Sequence, residues 1–228
     1  MNKLNLPPLN KCSIAVIGLG YVGLPLALEI AQRNKCLLTK EKLCRLVFGY
    51  DVNKNRIEQL EKGFDRNNIF SIEQIKKVNN IKFVSDKNLI KDVDVFIITV
   101  PTPINSKNEP NLSHIKEASK MVGELIKHKK KRLINPIIIF ESTVYPGLTE
   151  EICIPIIEKE SKKNYNSKSY KNSFYCGYSP ERINPGDKKR TLKKIVKITS
   201  GSNDKIAEFV DGLYRSIIDA GTYKASSI

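Results

Sequence analysis

Gly18-Leu-Gly-Tyr-Val-Gly23 carries the strongest chemical signal in these 228 residues. Glycines at this G-x-G-x-x-G spacing, between a strand and a helix, let the backbone wrap a dinucleotide pyrophosphate. Gly18 permits the tight turn and Gly20 lets the main chain approach a phosphate. Gly23 lets helix and strand pack closely, and the amides around Tyr21 and Val22 open the helix N-terminus toward the phosphates. Such a site needs an acid at the end of the next strand to bind the adenosine ribose hydroxyls, a choice that favours NAD over NADP. Asp51 is the candidate; its alternative role is to cap the helix that follows. Arg56, one helical turn later, can lie over an adenine or reach a phosphate, or be a solvated helix arginine.

Three further groups fall where apolar runs stop. Pro101 and Thr102 end one run, and Thr102 can contact a cofactor or simply make a turn. Ser142 and Thr143 follow another, where hydroxyls can orient water or cap a helix. Glu181 follows a third. It can serve as an acid/base group or pair with Arg182 beside it. His114 and His128 have no partner at catalytic spacing and read as surface helix residues.

The elements that must position these groups follow from periodicity. Residues 14–17, 46–50, 81–84, 93–100, 136–140, 174–178 and 195–199 read as strands. Helical spacing covers the stretch after Gly23, then 53–62, 71–78 (with Ser71 as N-cap), 111–129, 149–159 (interrupted by Pro155) and 203–218. Residues 35–45 are either a helical extension or a loop. They account for the wide separation of Asp51 from Gly23, since the usual spacing is roughly 20 residues. Residues 162–173 read as a loop. Alternating strands and helices imply an α/β fold, a doubly wound parallel sheet with a Rossmann-like NAD-binding domain. Residues 1–10 are expected to be a loose lead-in, 11–221 the NAD-binding domain, and 222–228 the start of a connection to further structure.

Composition narrows the functional classes. The net charge is +15, yet the lysines are dispersed, no aromatics are interleaved with them and no nucleic-acid motif is present, so no nucleic-acid partner is expected. A basic surface also attracts anionic nucleotides. The five cysteines (Cys12, Cys36, Cys44, Cys153, Cys176) show no C-x-x-C and no histidine at metal spacing, so no metal site is expected. Cys176 reads as a buried thiol. No apolar run reaches the ~18 residues of a membrane span, and residues 1–10 lack a signal peptide's apolar core. The expectation is a cytoplasmic protein with free thiols and no membrane partner.

Six segments together resemble the N-terminal part of the UDP-glucose/GDP-mannose dehydrogenase family, closest to its UDP-N-acetylhexosamine 6-dehydrogenase branch. They are Ala15-Val-Ile-Gly-Leu-Gly-Tyr-Val-Gly-Leu-Pro25, Gly49-Tyr-Asp-Val-Asn53, Thr99-Val-Pro-Thr-Pro-Ile104, Glu141-Ser-Thr-Val-Tyr-Pro-Gly147, Tyr175-Cys-Gly-Tyr-Ser-Pro-Glu-Arg-Ile-Asn-Pro-Gly186 and Thr199-Ser-Gly201. The resemblance implies a four-electron oxidation of a UDP-sugar's primary alcohol to the uronic acid for surface polysaccharide. Two NAD are reduced, and the path runs through an aldehyde and a cysteine thioester. It implies that Asp51 and Arg56 hold the adenosine half, and that Pro101, Thr102 and Thr143 lie toward the nicotinamide. Thr143 would also position the hydrolytic water, Glu181 would be the acid/base carboxylate, and Glu181, Arg182, Ile183 and Asn184 would meet the substrate. It further implies that the family's dimerisation helix, its active-site lysine and asparagine and its catalytic cysteine lie beyond residue 228. Two expectations stay open: a first half, either completed by a second polypeptide that carries the cysteine or truncated from a longer chain, or a degenerate fragment that only binds NAD.

Overall fold

A computed structural model describes residues 4–127, 134–168, 172–181 and 192–228. Nine strands of the described residues form one sheet, ordered β3-β2-β1-β4-β5-β7-β8-β9, with β6 paired to β7. Strand β1 (Ser13–Ile17) lies between β2 (Leu46–Tyr50) and β4 (Val95–Ile98), parallel to both. Strand β3 (Ile81–Val84) continues the parallel sheet on one side, and β5 (Ile137–Phe140) and β7 (Ser173–Tyr178) on the other. The strand order therefore reverses at β1/β4, where open α/β sheets bind ligands beyond the carboxyl ends.

The two faces of the sheet carry separate cores, as near-continuous apolar strands require. On one face α1 (Gly23–Gln32) and α6 (Asp204–Arg215) bury Leu26, Ile30, Phe209 and Leu213 against Ile14, Val16 and Ile97. On the other, α4 (Ser113–Lys127) and α5 (Ile154–Ser161) bury Ile115, Val122 and Ile157 against Ala15, Phe96 and Ile138. Helix α2 (Lys54–Glu61) follows β2, and α3 (Ile72–Lys76) starts at a capping box formed by Ser71 and Gln74.

Several expectations change. Residues 35–45 do not extend α1; they form a loop closed by a bridge between Lys35 and Lys42 and tied to α6 by Leu37 N–H donating to Ser216 O (3.2 Å). The lead-in is not loose: Leu4 is buried, and Asn135 N–H donates to Asn5 O (3.1 Å). Pro155 does not interrupt its helix. A wide π turn, Thr149–Cys153, runs directly into α5, and Pro155 falls in the first α-helical turn after it. The expected loop at 162–173 contains β6 (Asn164–Tyr165). The last apolar run pairs two residues later than its apolar start suggests, as β8 (Lys197–Gly201), and runs antiparallel to β7. Residues 222–228 begin with β9 (Thr222–Lys224), a parallel neighbour of β8. No helix among the described residues is long and apolar enough to cross a membrane.

Candidate functional site: a cofactor crevice and a carboxylate at the sheet's carboxyl edge

The glycine turn behaves as its three glycines dictate. Gly18 has φ +96°, and its N–H donates to Tyr50 O (2.8 Å), tying the turn to the end of β2. A Cβ on Gly23 would lie 1.9 Å from Gly18 O and 2.4 Å from Thr99 Oγ1, so only glycine lets α1 start against the turn. Thr99 Oγ1 is itself buried there, near Ile17 O (2.8 Å) and Gly18 O (2.7 Å). Gly20 differs: a Cβ there meets nothing within 4 Å, so its glycine answers to no protein neighbour. Helix α1 begins at Val22 with no side-chain cap and no acid in its first turn, leaving its N-terminal amides and dipole to face the crevice.

Asp51 stands where the strand pattern put it. Its Oδ2 accepts from Leu19 N–H (2.9 Å) and its Oδ1 from Asn53 N–H (2.9 Å). The cap of α2 is Asn53, whose side chain accepts from Arg56 N–H. A carboxylate has about four acceptor sites, so two bonds to the backbone leave room for ribose hydroxyls. Arg56 is not a solvated helix arginine. It is fully buried, its Nε donates to Leu19 O (3.1 Å), and its Nη2 pairs with the buried Asp65 Oδ1 (2.8 Å). Asp65 also accepts from the N–H groups of Asn67 and Ile69. Among the described residues, Arg56 Nη1 is buried without a hydrogen-bond partner. An open glycine, an uncapped helix start, spare carboxylate lone pairs and a buried unsatisfied guanidinium nitrogen together fit an adenine dinucleotide.

From the turn, a run of contacts crosses the strand ends. A Cβ on Gly18 would sit 3.3 Å from Val100, so β4 leaves the sheet directly beside the glycine turn. Ser142 Oγ donates to Val100 O (2.6 Å), Thr102 Oγ1 donates to Thr143 O (2.6 Å), and Thr143 Oγ1 donates to Glu181 O (3.4 Å). Ser142 and Thr143 therefore cross-link the loops after β4, β5 and β7 and cap no helix. Beside Thr143 opens a cavity of about 250 Å³, lined by Val144, Tyr145, Glu150 and Tyr178 among others. Arg182, Ile183 and Asn184, like His128, lie outside the described residues.

The sequence missed what lies under Glu181. Because β8 runs antiparallel, its first residue, Lys197, returns to the edge where β5 and β7 end. Lys197 Nζ is buried and donates to Glu141 Oε2 (2.8 Å), Glu181 Oε2 (3.1 Å) and Pro180 O (3.3 Å). Tyr214, from the last turn of α6, donates its hydroxyl to Glu141 Oε1, and its ring lies 5.6 Å from the ammonium. Burial works against the Lys197 charge, but Glu141 and Glu181 outweigh it and hold the ammonium above the usual lysine range. Burial pushes the Glu141 carboxyl up, and Lys197 only partly offsets it. Burial, then the Glu141 charge, push the Tyr214 phenol well above its ordinary value. The one local signal was a lysine set within the apolar run 195–199. Asp65, too, gave no local sign.

The cysteines take no part in this edge. Burial pushes the Cys12 and Cys153 thiols up to about 11 and holds Cys176 well above its ordinary value, so their thiolates are disfavoured. Cys36 and Cys44 lie in the loop that enters β2, at the opposite, amino edge of the sheet. His114 is exposed on α4.

Comparison with known proteins agrees with this geometry. The chain is 46% identical to the UDP-N-acetyl-D-glucosamine 6-dehydrogenase of Salmonella typhi, over 96% of its own length and 47% of that protein. It is 44% identical to the enzyme of the same name from Pseudomonas aeruginosa, over 94% of itself and 46% of the relative. Among solved structures, the UDP-D-ManNAc dehydrogenase of Pyrococcus horikoshii superposes with a TM-score of 0.74 at 27% identity, covering 94% of this chain and 47% of that one. A ternary complex of GDP-mannose dehydrogenase from Pseudomonas aeruginosa shares the fold, with a TM-score of 0.74 at 23% identity over 92% of this chain and 45% of that one. The chain thus spans about half the length of the curated relatives it matches. Residues 12–218 match the NAD binding domain of the UDP-glucose/GDP-mannose dehydrogenase family, and the chain belongs to that family.

Proposed function

We propose that this chain forms the NAD-holding part of a UDP-sugar 6-dehydrogenase. The enzyme would oxidise the primary alcohol of a UDP-N-acetylhexosamine or UDP-glucose to the carboxylate, with two NAD reduced, for polysaccharide synthesis. The observation that supports the reading is the continuous run of contacts from Gly18 through Val100, Thr102 and Thr143 to Glu181, which joins the glycine turn to a carboxylate along one rim.

Bound NAD supplies the hydride acceptor. The chain's own residues supply the rest of what the rim can do. The amides of Gly20, Tyr21, Val22 and Gly23 bind the pyrophosphate at the start of α1. Asp51 accepts from the ribose hydroxyls, and its charge opposes a 2′-phosphate. Arg56, braced by Asp65, keeps one buried N–H group for the adenosine half. Pro101 turns the chain out of the sheet, and Thr102 and Thr143 line the nicotinamide end. Thr143 holds water beside Glu181, whose carboxylate takes up and returns the proton during hydrolysis of the acyl intermediate. Arg182, Ile183 and Asn184 contact the substrate on the same reading.

The nucleophilic cysteine then comes from sequence outside these 228 residues, on a second polypeptide or the remainder of a longer chain. The buried, thiolate-disfavouring sites of Cys12, Cys153 and Cys176 support this. The test is NADH formation from UDP-N-acetylglucosamine, UDP-N-acetylgalactosamine and UDP-glucose by the purified chain, alone and with a polypeptide carrying the cysteine half. The expected result is none alone and turnover when the halves are mixed. NADH from the chain alone would overturn the division of labour. NAD binding without turnover in any mixture would support a non-catalytic NAD-binding domain instead.

A further inference from the structure

We propose that Lys197 is a positioning residue: anchored from below by Glu141 and the Tyr214 ring, it holds the Glu181 side chain in one orientation at the rim of the crevice. This rests on the reading of Glu181 as the working carboxylate. An ammonium has three N–H donors, and Lys197 has three acceptors, Glu141 Oε2, Glu181 Oε2 and Pro180 O, each within 3.3 Å. Two of those acceptors belong to the segment that carries Glu181, and the third lies beneath it. Glu141 is fully enclosed, with one carboxylate oxygen on Lys197 and the other on the Tyr214 hydroxyl. Glu181 is also bound through its backbone, its N–H donating to Glu141 O (3.3 Å) and its carbonyl accepting from Thr143 Oγ1. Main chain and side chain are thus fixed from different directions.

The arrangement has a hierarchy. Glu141 and Tyr214 sit on β5's end and on α6, inside the core, and their side chains bond each other. Lys197 is therefore held by Glu141 and Tyr214 independently of Glu181, while the Glu181 carboxylate takes a buried hold from Lys197. A group must be held within roughly half an ångström to act in catalysis, and a glutamate with three side-chain torsions on a loop is not held so by its own backbone. An ion pair that only stabilised the fold could be replaced by apolar side chains of similar volume without loss, as buried pairs often can.

Two measurements test the claim. The first is carbodiimide–amine labelling read by mass spectrometry, comparing the unaltered chain with E141L/K197M, which replaces the buried pair by apolar side chains. Exposed Glu117 serves as the internal reference. Labelling of Glu181 relative to Glu117 is expected to rise at least tenfold as the carboxylate swings into solvent, while circular dichroism stays that of the folded parent and the melting temperature falls, because the Tyr214 hydroxyl loses its Glu141 acceptor. Labelling within twofold of the parent in a folded variant would overturn the proposal. The second does not depend on that variant folding. The ammonium resonance of Lys197, assigned by its loss in Lys197→Met, is followed by ¹H–¹⁵N spectroscopy in Glu181→Gln. It is expected to persist with slow solvent exchange, held by Glu141. Its loss would mean that Glu181 holds Lys197 rather than the reverse. Both readouts report orientation alone, so they can succeed where the NADH test of the proposed function fails, and the reverse.

Discussion

Two alanine substitutions in the same turn should have opposite consequences. In Gly23→Ala the new Cβ meets a backbone carbonyl at 1.9 Å and the Thr99 hydroxyl at 2.4 Å. The carbonyl cannot rotate away, because Gly18 is fixed at φ +96° and bonded to Tyr50 O. Helix α1 must move off the sheet or the Thr99 hydroxyl must give up the hydrogen bond it donates to Ile17 O or Gly18 O. Overpacking of this kind costs about 1–3 kcal/mol, and one lost hydrogen bond adds about 1 kcal/mol. The better helix propensity of alanine returns at most about 1 kcal/mol. The expected net loss is about 1–3 kcal/mol, which for a chain of this size lowers the melting temperature by roughly 2–12 °C. Gly20→Ala has no neighbour within 4 Å and no positive φ to violate, so its stability should change by less than about 0.5 kcal/mol. Its methyl group, however, fills the approach to the pyrophosphate and displaces charge-assisted amide bonds worth about 2 kcal/mol or more together, a loss of at least about thirtyfold in NAD affinity. Urea denaturation and calorimetric titration of both variants provide the assay. The reasoning fails if Gly23→Ala is as stable as the parent, or if Gly20→Ala binds NAD with unchanged affinity.

Other perturbations separate the roles assigned above. Asp51→Ala removes the acceptor for Leu19 N–H and Asn53 N–H; a loss of about 1–3 kcal/mol of stability is expected, with NAD affinity down more than tenfold by titration. Arg56→Met strands the buried Asp65 carboxylate and should cost about 3–5 kcal/mol in urea unfolding, toward the lower end because backbone N–H groups also serve Asp65; a loss below about 1 kcal/mol would mean the pair is not buried as described. Lys197 and Tyr214 both have folded-state pKa values above their ordinary ones, so the folded chain keeps protons that the unfolded chain releases. Their contribution to stability should be at its full value below about pH 10, near the unfolded tyrosine and lysine values, and be lost as pH rises through the folded-state values. Urea midpoints measured across that range check the sign, and a midpoint that rose above about pH 10 would reverse it.

The glycine turn and its strand–helix frame were legible because their chemistry is local: three glycines within six residues, an apolar run before them and an i, i+4 pattern after. Asp51 was legible for a related reason, since a strand's last residue is set by the strand. Arg56 was placed on the right helix, but its burial was invisible, because the partner that makes burial tolerable, Asp65, is drawn in by a turn with no periodic signature. The Glu141–Lys197–Glu181 cluster was harder still. Its members are brought together only by the reversal of β8, which no spacing in the chain records, and Lys197 lies within a run that reads simply as a strand. Strand β9 was missed because its three residues are held by pairing to β8 and by Thr222 Oγ1 donating to Asp211 Oδ1 (2.5 Å) rather than by an apolar run.

The central claim is that the turn at Gly18–Gly23, with Asp51 at the end of β2, grips an adenine dinucleotide and prefers the form without a 2′-phosphate. Calorimetric titration of the purified chain with NAD and then NADP tests it most directly. The account predicts saturable binding of one NAD per chain, with NADP at least about tenfold weaker, a difference of about 1.4 kcal/mol. No binding heat with NAD at any temperature, or equal affinity for the two dinucleotides, would contradict it.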